Sequence, residues 1–205
     1  MATHGIVPDR AASATRGGLR PIAQRLHGMG VSANAITALG VLLTLAGAVL
    51  VALDRPLAAL AVLLAGSVAD TLDGAIARVS GGGTPFGAFF DSTADRVADA
   101  ALLGATVWLG ASTGDDALLI AALVAMPLAF LVPYVRAKAE SLGVAATVGP
   151  APREARLLIL LVGLAAWGLS GLSVAFTTAI VAVAILAAIT FAQRVAAVRR
   201  ALARG

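Results

Sequence analysis

The sequence predicts an all-α integral membrane protein, in which six transmembrane helices follow an amphipathic helix at the membrane surface. Hydrophobic residues make up 60% of the 205 residues and charged residues 13%, with a mean hydropathy of +0.95. Soluble domains average about 45–50% apolar and about 25% charged residues, so an ordinary soluble protein is excluded. A membrane β-barrel is excluded too, because barrel strands alternate polar and apolar residues, whereas Ala35–Leu53 is apolar on all sides.

Six apolar stretches separated by turn-forming residues define the predicted spans. They are Ala35–Leu53, Leu57–Arg78, Gly87–Gly110, Ala117–Val135, Ala155–Gly168 and Ser173–Gln193. The connection between the second and third spans, Ser80–Phe86, is short and contains three consecutive glycines and a proline. We therefore expect these two helices to be antiparallel neighbours.

A polar arm, residues 1–33, precedes the first span and has no apolar core, which excludes a cleavable signal peptide. Within the arm, Arg16–Gly28 has apolar residues at helical spacing with arginines between them, which predicts a helix lying in the membrane interface. A solvated arm is the alternative. The catalytic six-helix domain is expected to cover 34–198, and a cytoplasmic basic tail to cover 199–205.

The basic residues predict the orientation in the membrane. Six spans place both termini on one side, and of the 15 basic residues only Arg55 then lies on the other side. The positive-inside rule assigns the crowded side to the cytoplasm, which predicts a multi-pass protein of the cell membrane. Basic residues that border apolar spans indicate contact with membrane lipids and not with nucleic acid. The chain has no cysteine, which excludes thiolate chemistry.

Five aspartates lie in the second and third spans: Asp70, Asp73, Asp91, Asp95 and Asp99. A carboxylate inside a membrane helix costs about 2.5–3.5 kcal/mol on insertion scales, so five of them require compensation. The first two are three residues apart and the last three are four apart, so each set shares one helix face. The first four carboxylates are expected to face one another near the cytoplasmic surface.

These four facing carboxylates predict a metal site, because they repel one another unless cations lie between them. All-oxygen ligands favour Mg²⁺, Mn²⁺ or Ca²⁺ over zinc, and Mg²⁺ is the predicted ion with Mn²⁺ as the alternative. Two ions would hold both oxygens of a phosphoryl displacement. Gly74, Ala77 and Gly87 leave room for a nucleotide phosphate, whose oxygens Arg78 and Thr84 are placed to contact. Ordinary close packing of membrane helices is the alternative explanation for the small residues.

The segment Asp70–Arg78, followed by Gly87, Asp91 and Asp95, matches every fixed position of the pattern D-x2-D-G-x2-A-R-x8-G-x3-D-x3-D. In this pattern the chain resembles the CDP-alcohol phosphotransferase family, also called the CDP-alcohol phosphatidyltransferase family. The resemblance implies an enzyme of phospholipid biosynthesis that transfers the phosphatidyl group of CDP-diacylglycerol to a hydroxyl acceptor and releases CMP. It also implies a homodimer.

The resemblance implies roles for single residues. By position, Asp70, Asp73 and Asp91 are metal ligands, and Asp95 is both a ligand and the catalytic proton acceptor. Donor binding is implied for Gly74, Arg78 and Thr84. Asp99 lies outside the pattern and is assigned a structural role, for instance pairing with Arg96.

The segment Ala33–Thr37 resembles the family's P-N-x-x-T stretch near the donor, with Ala33 in place of the proline. Asn34 and Thr37 are therefore predicted to contact the donor nucleotide. The alternative for Asn34 is a simple N-cap of the first helix.

The acceptor is predicted from four basic residues at the ends of the fourth, fifth and sixth spans: Arg136, Lys138, Arg153 and Arg194. Converging cations would bind the phosphate of an anionic acceptor, whereas positive-inside charge is the alternative explanation. The surrounding segments are similar to a bacterial subgroup of the family that accepts inositol phosphate (1D-myo-inositol 3-phosphate) and makes phosphatidylinositol phosphate. Glycerol-3-phosphate stays open as the acceptor.

A different class of protein also lines membrane helices with carboxylates, namely a small cation transporter. A transporter predicts acidic residues spread over several spans, whereas here they concentrate on two adjacent helices near one face. A purely structural membrane protein offers no reason for four facing carboxylates. The sequence therefore favours an enzyme at the membrane interface.

Overall fold

The structure is a computed structural model that describes residues 9–203, with side chains described from residue 19 onward. This part of the chain is all-helical, as predicted, and contains no strand. Its seven helices are α1 (Asp9–Gly28), α2 (Ala33–Ala52), α3 (Pro56–Val79), α4 (Pro85–Thr113), α5 (Asp116–Ser141), α6 (Arg153–Ser170) and α7 (Val174–Leu202). Of these, α2, α3, α5 and α7 are long and apolar enough to cross a membrane. The chain is a helical membrane protein.

The third and fifth predicted spans coincide with α4 and α6, which are less uniformly apolar. The first half of α4 carries Asp91, Asp95, Arg96 and Asp99. The first turn of α6 carries Arg153, Glu154 and Arg156. Because of these charges, α4 and α6 are less apolar than the four candidate membrane helices. The total of six membrane spans therefore stays a prediction.

Large apolar side chains lie exposed on the candidate spans, as lipid contact requires. Leu42 of α2 is 63% exposed, Ile120 of α5 61% and Val174 of α7 62%. Extended apolar surface is unfavourable in water but is covered by hydrocarbon chains in a bilayer.

The described residues form two compact units, 9–102 and 103–203, and the division falls inside α4. In the first unit, both α1 and α2 pack against α3. Glycines bring α2 and α3 together, since a Cβ on Gly47 would lie only 2.7 Å from the side chain of Leu63. Ala23 of α1 packs against Ala75 and Ile76 of α3 in a small buried cluster.

In the second unit, α5 and α6 both pack against α7. Gly163 of α6 touches Ala179 of α7 so closely that a Cβ on the glycine would overlap it. The rings of Trp167 and Phe176 stack beside this contact, with centroids 5.6 Å apart. Ala179 of α7 thus takes part in packing within one chain.

Several helices begin or end away from the predicted positions. The helix predicted at Arg16–Gly28 already begins at Asp9, and its position in the membrane interface stays a prediction. The N-cap of α2 is Ser32, whose Oγ accepts a hydrogen bond from the Ala35 amide at 3.2 Å. The alternative assignment of Asn34 as that cap is therefore wrong.

The last helix continues to Leu202, so Arg199 and Arg200 of the predicted tail are helical. Likewise α5 continues past Val135 to Ser141. Apolar runs indicate where a membrane segment ends, but a helix continues wherever its backbone hydrogen bonds do. Residues 1–8 of the predicted arm and 204–205 of the tail lie outside the described residues.

Candidate metal centre and adjoining cavity

Three carboxylates meet between α3 and α4. One oxygen each from Asp70, Asp91 and Asp95 lies within 4.8 Å of the others. Asp91 and Asp95 are one helical turn apart and therefore share a face of α4. The α3–α4 connection turns through Gly81 and Gly82, whose φ angles are +95° and +113°, values that side chains rarely tolerate.

Asp73, the fourth predicted ligand, is not one of these three. It is 7% exposed, and its Oδ2 accepts a hydrogen bond from Thr37 Oγ1 at 2.5 Å. A hydroxyl of α2 thus engages one oxygen of Asp73, a contact that the spacing between Asp70 and Asp73 does not reveal. Asp73 and Asp91 nevertheless line the same cavity.

The cluster of Asp70, Asp91 and Asp95 fits a divalent metal ion. Two unit negative charges 4.8 Å apart repel each other by about 3 kcal/mol at an effective dielectric constant near 20. A cation bound between them attracts both and offsets this repulsion. The ligand atoms are hard carboxylate oxygens, with no histidine or cysteine among them. This donor set suits Mg²⁺, Mn²⁺ or Ca²⁺ and not zinc.

A cavity of about 440 Å³ adjoins the carboxylates and is lined by α2, α3, α4 and their connections. Six of the seven residues predicted to bind the donor line it: Asn34, Thr37, Gly74, Ala77, Thr84 and Gly87. His27, to which the sequence assigned no role, lines it as well. The sequence could not predict that His27 lines the cavity, because only the packing of α1 brings this residue there.

Thr84 and Gly87 shape one wall of this cavity. Thr84 Oγ1 accepts a hydrogen bond from the Gly87 amide at 2.9 Å and so caps α4. A Cβ on Gly87 would lie 3.1 Å from that oxygen and 3.3 Å from Asn34 Oδ1. Glycine at this position therefore keeps the space open. The Thr84-Pro85 sequence is a signal for this cap, since proline is favoured in the first helical position.

Arg78, the seventh predicted donor residue, lines a different cavity together with Arg20 and Gln24 of α1. Its Nη1 still lies 3.4 Å from the position that a Cβ on Gly74 would take. The guanidinium therefore borders the backbone at Gly74, which lines the first cavity.

The four predicted acceptor residues belong to the second unit. Lys138 and Arg136 are exposed near the end of α5, where Arg136 Nε donates to Glu140 Oε1 at 2.9 Å. Arg153 is the first residue of α6. Arg194 is 6% exposed, and its guanidinium donates to the carbonyls of Val148 and Val132 at 3.0 and 2.8 Å.

The connection between α5 and α6 is held on α7 by two side chains. Besides the bond from Arg194, Thr190 Oγ1 accepts a hydrogen bond from the Ala151 amide at 3.0 Å. Gly149 has a φ of +119° and touches Thr190 so closely that a Cβ would overlap it. Arg156, which is not among the four predicted acceptor residues, donates to the Ala151 carbonyl at 3.1 Å. The two arginines here donate to backbone carbonyls, which no residue type in the sequence marks.

Comparison with known proteins finds one family over most of the chain. Residues 30–190 match the family described as CDP-alcohol phosphatidyltransferase. A phosphatidylinositol phosphate synthase of Mycobacteroides abscessus is 43% identical over 131 residues, or 63% of this chain. The match spans 60% of that relative's length, which is less than two thirds.

Solved structures of phosphatidylinositol phosphate synthase from Mycobacterium tuberculosis have a similar fold. One, with CDP-DAG bound, superposes with a TM-score of 0.80 at 33% identity and covers 88% of this chain and 92% of that one. Another, in complex with manganese and citrate, superposes with a TM-score of 0.82 at the same identity and covers 88% of both chains.

Proposed function

The chain belongs to the CDP-alcohol phosphatidyltransferase family, and we propose that it transfers the phosphatidyl group of CDP-diacylglycerol to a hydroxyl of inositol phosphate. The products are phosphatidylinositol phosphate and CMP. The observation that carries the proposal is the meeting of Asp70, Asp91 and Asp95 beside a cavity of about 440 Å³. Support comes from the related synthase with CDP-DAG bound, which shares the fold over most of its length.

We assign the cavity to the donor's nucleotide and diphosphate. Gly74, Ala77 and Gly87 line it and have at most a methyl side chain, so phosphate oxygens can approach the backbone. Asn34 contributes an amide and Thr84 a hydroxyl to the same walls. The acyl chains would extend between helices into the bilayer, since their methylene groups are stabilised there by burial.

We assign the metal centre to Asp70, Asp91 and Asp95, with Asp73 supplying a further oxygen from the cavity wall. Two Mg²⁺ ions, or Mn²⁺ in their place, would supply neutralisation of the diphosphate and of the departing CMP phosphate. The related synthase in complex with manganese supports a divalent ion in this family.

Asp95 is assigned as the base. Its side chain is 22% exposed, so it is open to substrate, and it stands one turn from Asp91 in the cluster. It takes the proton of the acceptor hydroxyl while that oxygen attacks the phosphorus bearing diacylglycerol. The bond from this phosphorus to the oxygen of CMP breaks, and CMP leaves with the electron pair.

The acceptor's phosphate is assigned to Arg136, Lys138, Arg153 and Arg194. Arg136 and Lys138 have exposed side chains that can reach an anion. Arg194 holds the α5–α6 connection and adds positive charge beside Arg136 and Arg156, both near enough to act on it electrostatically. Concentrated positive charge selects a phosphorylated polyol over a neutral one.

We further propose the membrane arrangement that the sequence predicts. Helices α2 to α7 cross the cell membrane, α1 lies at the cytoplasmic surface, and both termini and the site are cytoplasmic. The metal centre and donor cavity then open near the bilayer surface, where CDP-diacylglycerol presents its headgroup. The protein is proposed to act as a homodimer surrounded by membrane lipids.

Acceptor competition tests the function. Purified protein in detergent with Mg²⁺ and CDP-diacylglycerol receives inositol phosphate, free inositol or glycerol-3-phosphate, and CMP is measured. We expect CMP release that needs metal and is fastest with inositol phosphate. Preference for glycerol-3-phosphate would make the chain a phosphatidylglycerophosphate synthase. Absence of CMP release with every acceptor would contradict the enzymatic proposal and leave a cation transporter as the alternative.

A further inference from the structure

The chain just before α6 is bonded to α7 through a fully buried pair of residues, Ala151 and Thr190. Ala151 stands between Pro150 and Pro152, and proline has no amide hydrogen, so Ala151 has the one backbone N–H of this tripeptide. A buried N–H requires a hydrogen-bond acceptor. Thr190 Oγ1 is that acceptor, at 3.0 Å. A side chain of α7 therefore fixes the end of the α5–α6 connection.

Neighbouring contacts fix the same connection on the same face of α7. Thr190 and Arg194 are four residues apart and share that face, and Arg194 Nε donates to the Val148 carbonyl at 3.0 Å. Gly149 has a φ of +119°, and a Cβ there would lie 2.4 Å from Thr190 Cγ2. The hydroxyl of Thr190 is itself fixed in direction, because it donates to the Leu186 carbonyl at 2.8 Å. The connection therefore has little freedom to move along α7.

The bond between Ala151 and Thr190 joins the two segments that carry Arg153 and Arg194. Arg153 is the first residue of α6 and follows Ala151 by two positions. Arg194 follows Thr190 by about one helical turn of α7. A binding site requires its side chains to be held within about 0.5 Å of the productive geometry. The spacing of these two arginines therefore depends on a bond that neither of them makes.

We propose that Thr190 is a positioning residue for the acceptor: by bonding to the Ala151 amide, it holds Arg153 where Arg153 and Arg194 bind one phosphate group. This inference rests on the proposed function, in which both arginines bind the acceptor's phosphate. Thr190 is fully buried, so it acts through the connection and not by touching substrate. Valine has the same shape but no hydrogen-bond acceptor, so Thr190→Val leaves the Ala151 N–H without its partner. The donor cavity is lined by residues of the first unit, so its affinity for the donor is unaffected.

Steady-state kinetics of the full-length protein in detergent test this role, with CMP release followed while inositol phosphate and CDP-diacylglycerol are varied in turn. We expect Thr190→Val to raise the KM for inositol phosphate about tenfold and to change the KM for CDP-diacylglycerol less than about twofold. Thr190→Ser keeps the hydroxyl and should restore the acceptor KM to within about threefold of wild type. Thr178→Val, which removes an exposed hydroxyl from the same helix, is the matched control and should leave both KM values unchanged.

A merely structural role of Thr190 gives a different result, because a smaller folded fraction lowers the rate of CMP release at saturation without changing KM. A lower kcat with an unchanged acceptor KM would therefore overturn the positioning role, as would equal rises in the KM of donor and acceptor. Thr190→Ala also lacks the hydroxyl and fits the same space, so it provides the measurement if the valine variant does not fold. Turnover by wild type with an unchanged acceptor KM in these variants would overturn this inference alone. Absence of CMP release by wild type with every acceptor would contradict the proposed function, and this inference with it.

Discussion

The two units of the chain use their charged residues in opposite ways. In the first unit, Asp70, Asp91 and Asp95 bring like charges together, an arrangement that an added cation stabilises. In the second, Arg136 bonds to Glu140, and buried Arg194 bonds to backbone carbonyls, so these cations serve partly as internal supports. A cluster of like charges therefore indicates chemistry more directly than arginines that donate to backbone carbonyls and to a carboxylate of their own helix.

The largest effect is expected from the acidic cluster. Asp95→Asn removes the base but keeps the side-chain shape, so CMP release should fall about 10²- to 10⁴-fold, the usual contribution of a general base. CMP release from CDP-diacylglycerol measures this. Asp116→Asn makes the same change at an exposed position and should leave the rate unchanged. Near-normal turnover of Asp95→Asn would exclude Asp95 as the base.

In the second unit, Arg194→Ala tests internal support against substrate binding. The substitution leaves the carbonyls of Val132 and Val148 without this donor, and we expect a loss of about 2–5 kcal/mol in the free energy of unfolding. Thermal unfolding in detergent measures it, and exposed Arg199→Ala should change it by less than about 0.5 kcal/mol. An unchanged melting temperature with a raised KM for the acceptor would show that Arg194 serves the substrate alone.

A third substitution tests whether a side-chain hydrogen bond stabilises the fold of the first unit as well. Thr37→Val removes the hydroxyl that donates to Asp73 Oδ2, and we expect a loss of about 1–3 kcal/mol in unfolding free energy, because the carboxylate is buried. Thr178→Val is the matched control, since that exposed hydroxyl bonds to Val174 of its own helix. Equal thermal shifts in metal-free protein would mean that the Thr37–Asp73 bond adds nothing to stability.

The smallest effect is expected at the wall of the donor cavity. A Cβ in Gly87→Ala would press on Thr84 and Asn34, so the KM for CDP-diacylglycerol should rise about threefold to tenfold, roughly 1 kcal/mol. Gly104→Ala, on the same helix, has no atom within 4 Å of the new methyl group and should leave KM unchanged. If both variants behave alike, the space at Gly87 is not used by the donor.

Prediction from the sequence succeeded where spacing along one helix decides position. Asp91 and Asp95 share a face because they are four residues apart, and the short glycine connection returns α4 to Asp70. Prediction from the sequence failed for hydrogen bonds between residues that are far apart in the chain. The bonds of Asp73 to Thr37 and of Arg194 to Val148 join residues 36 and 46 positions apart, which no local pattern reports.

The sequence by itself determined the all-helical membrane class, because hydropathy is a local property of the chain, and its aspartate motif indicated the family. Helical spacing also placed Asp91 and Asp95 on one face, and three of the four predicted carboxylates meet. Only the tertiary structure decided that Asp73 accepts a hydrogen bond from Thr37 of α2 and that Arg194 holds the α5–α6 connection. It also decided that Arg78 and Arg20 line the same cavity. These contacts depend on which helix faces pack together. Small residues such as Ala23 and Gly47 set that packing through close approach, and its outcome is visible only once the helices are assembled.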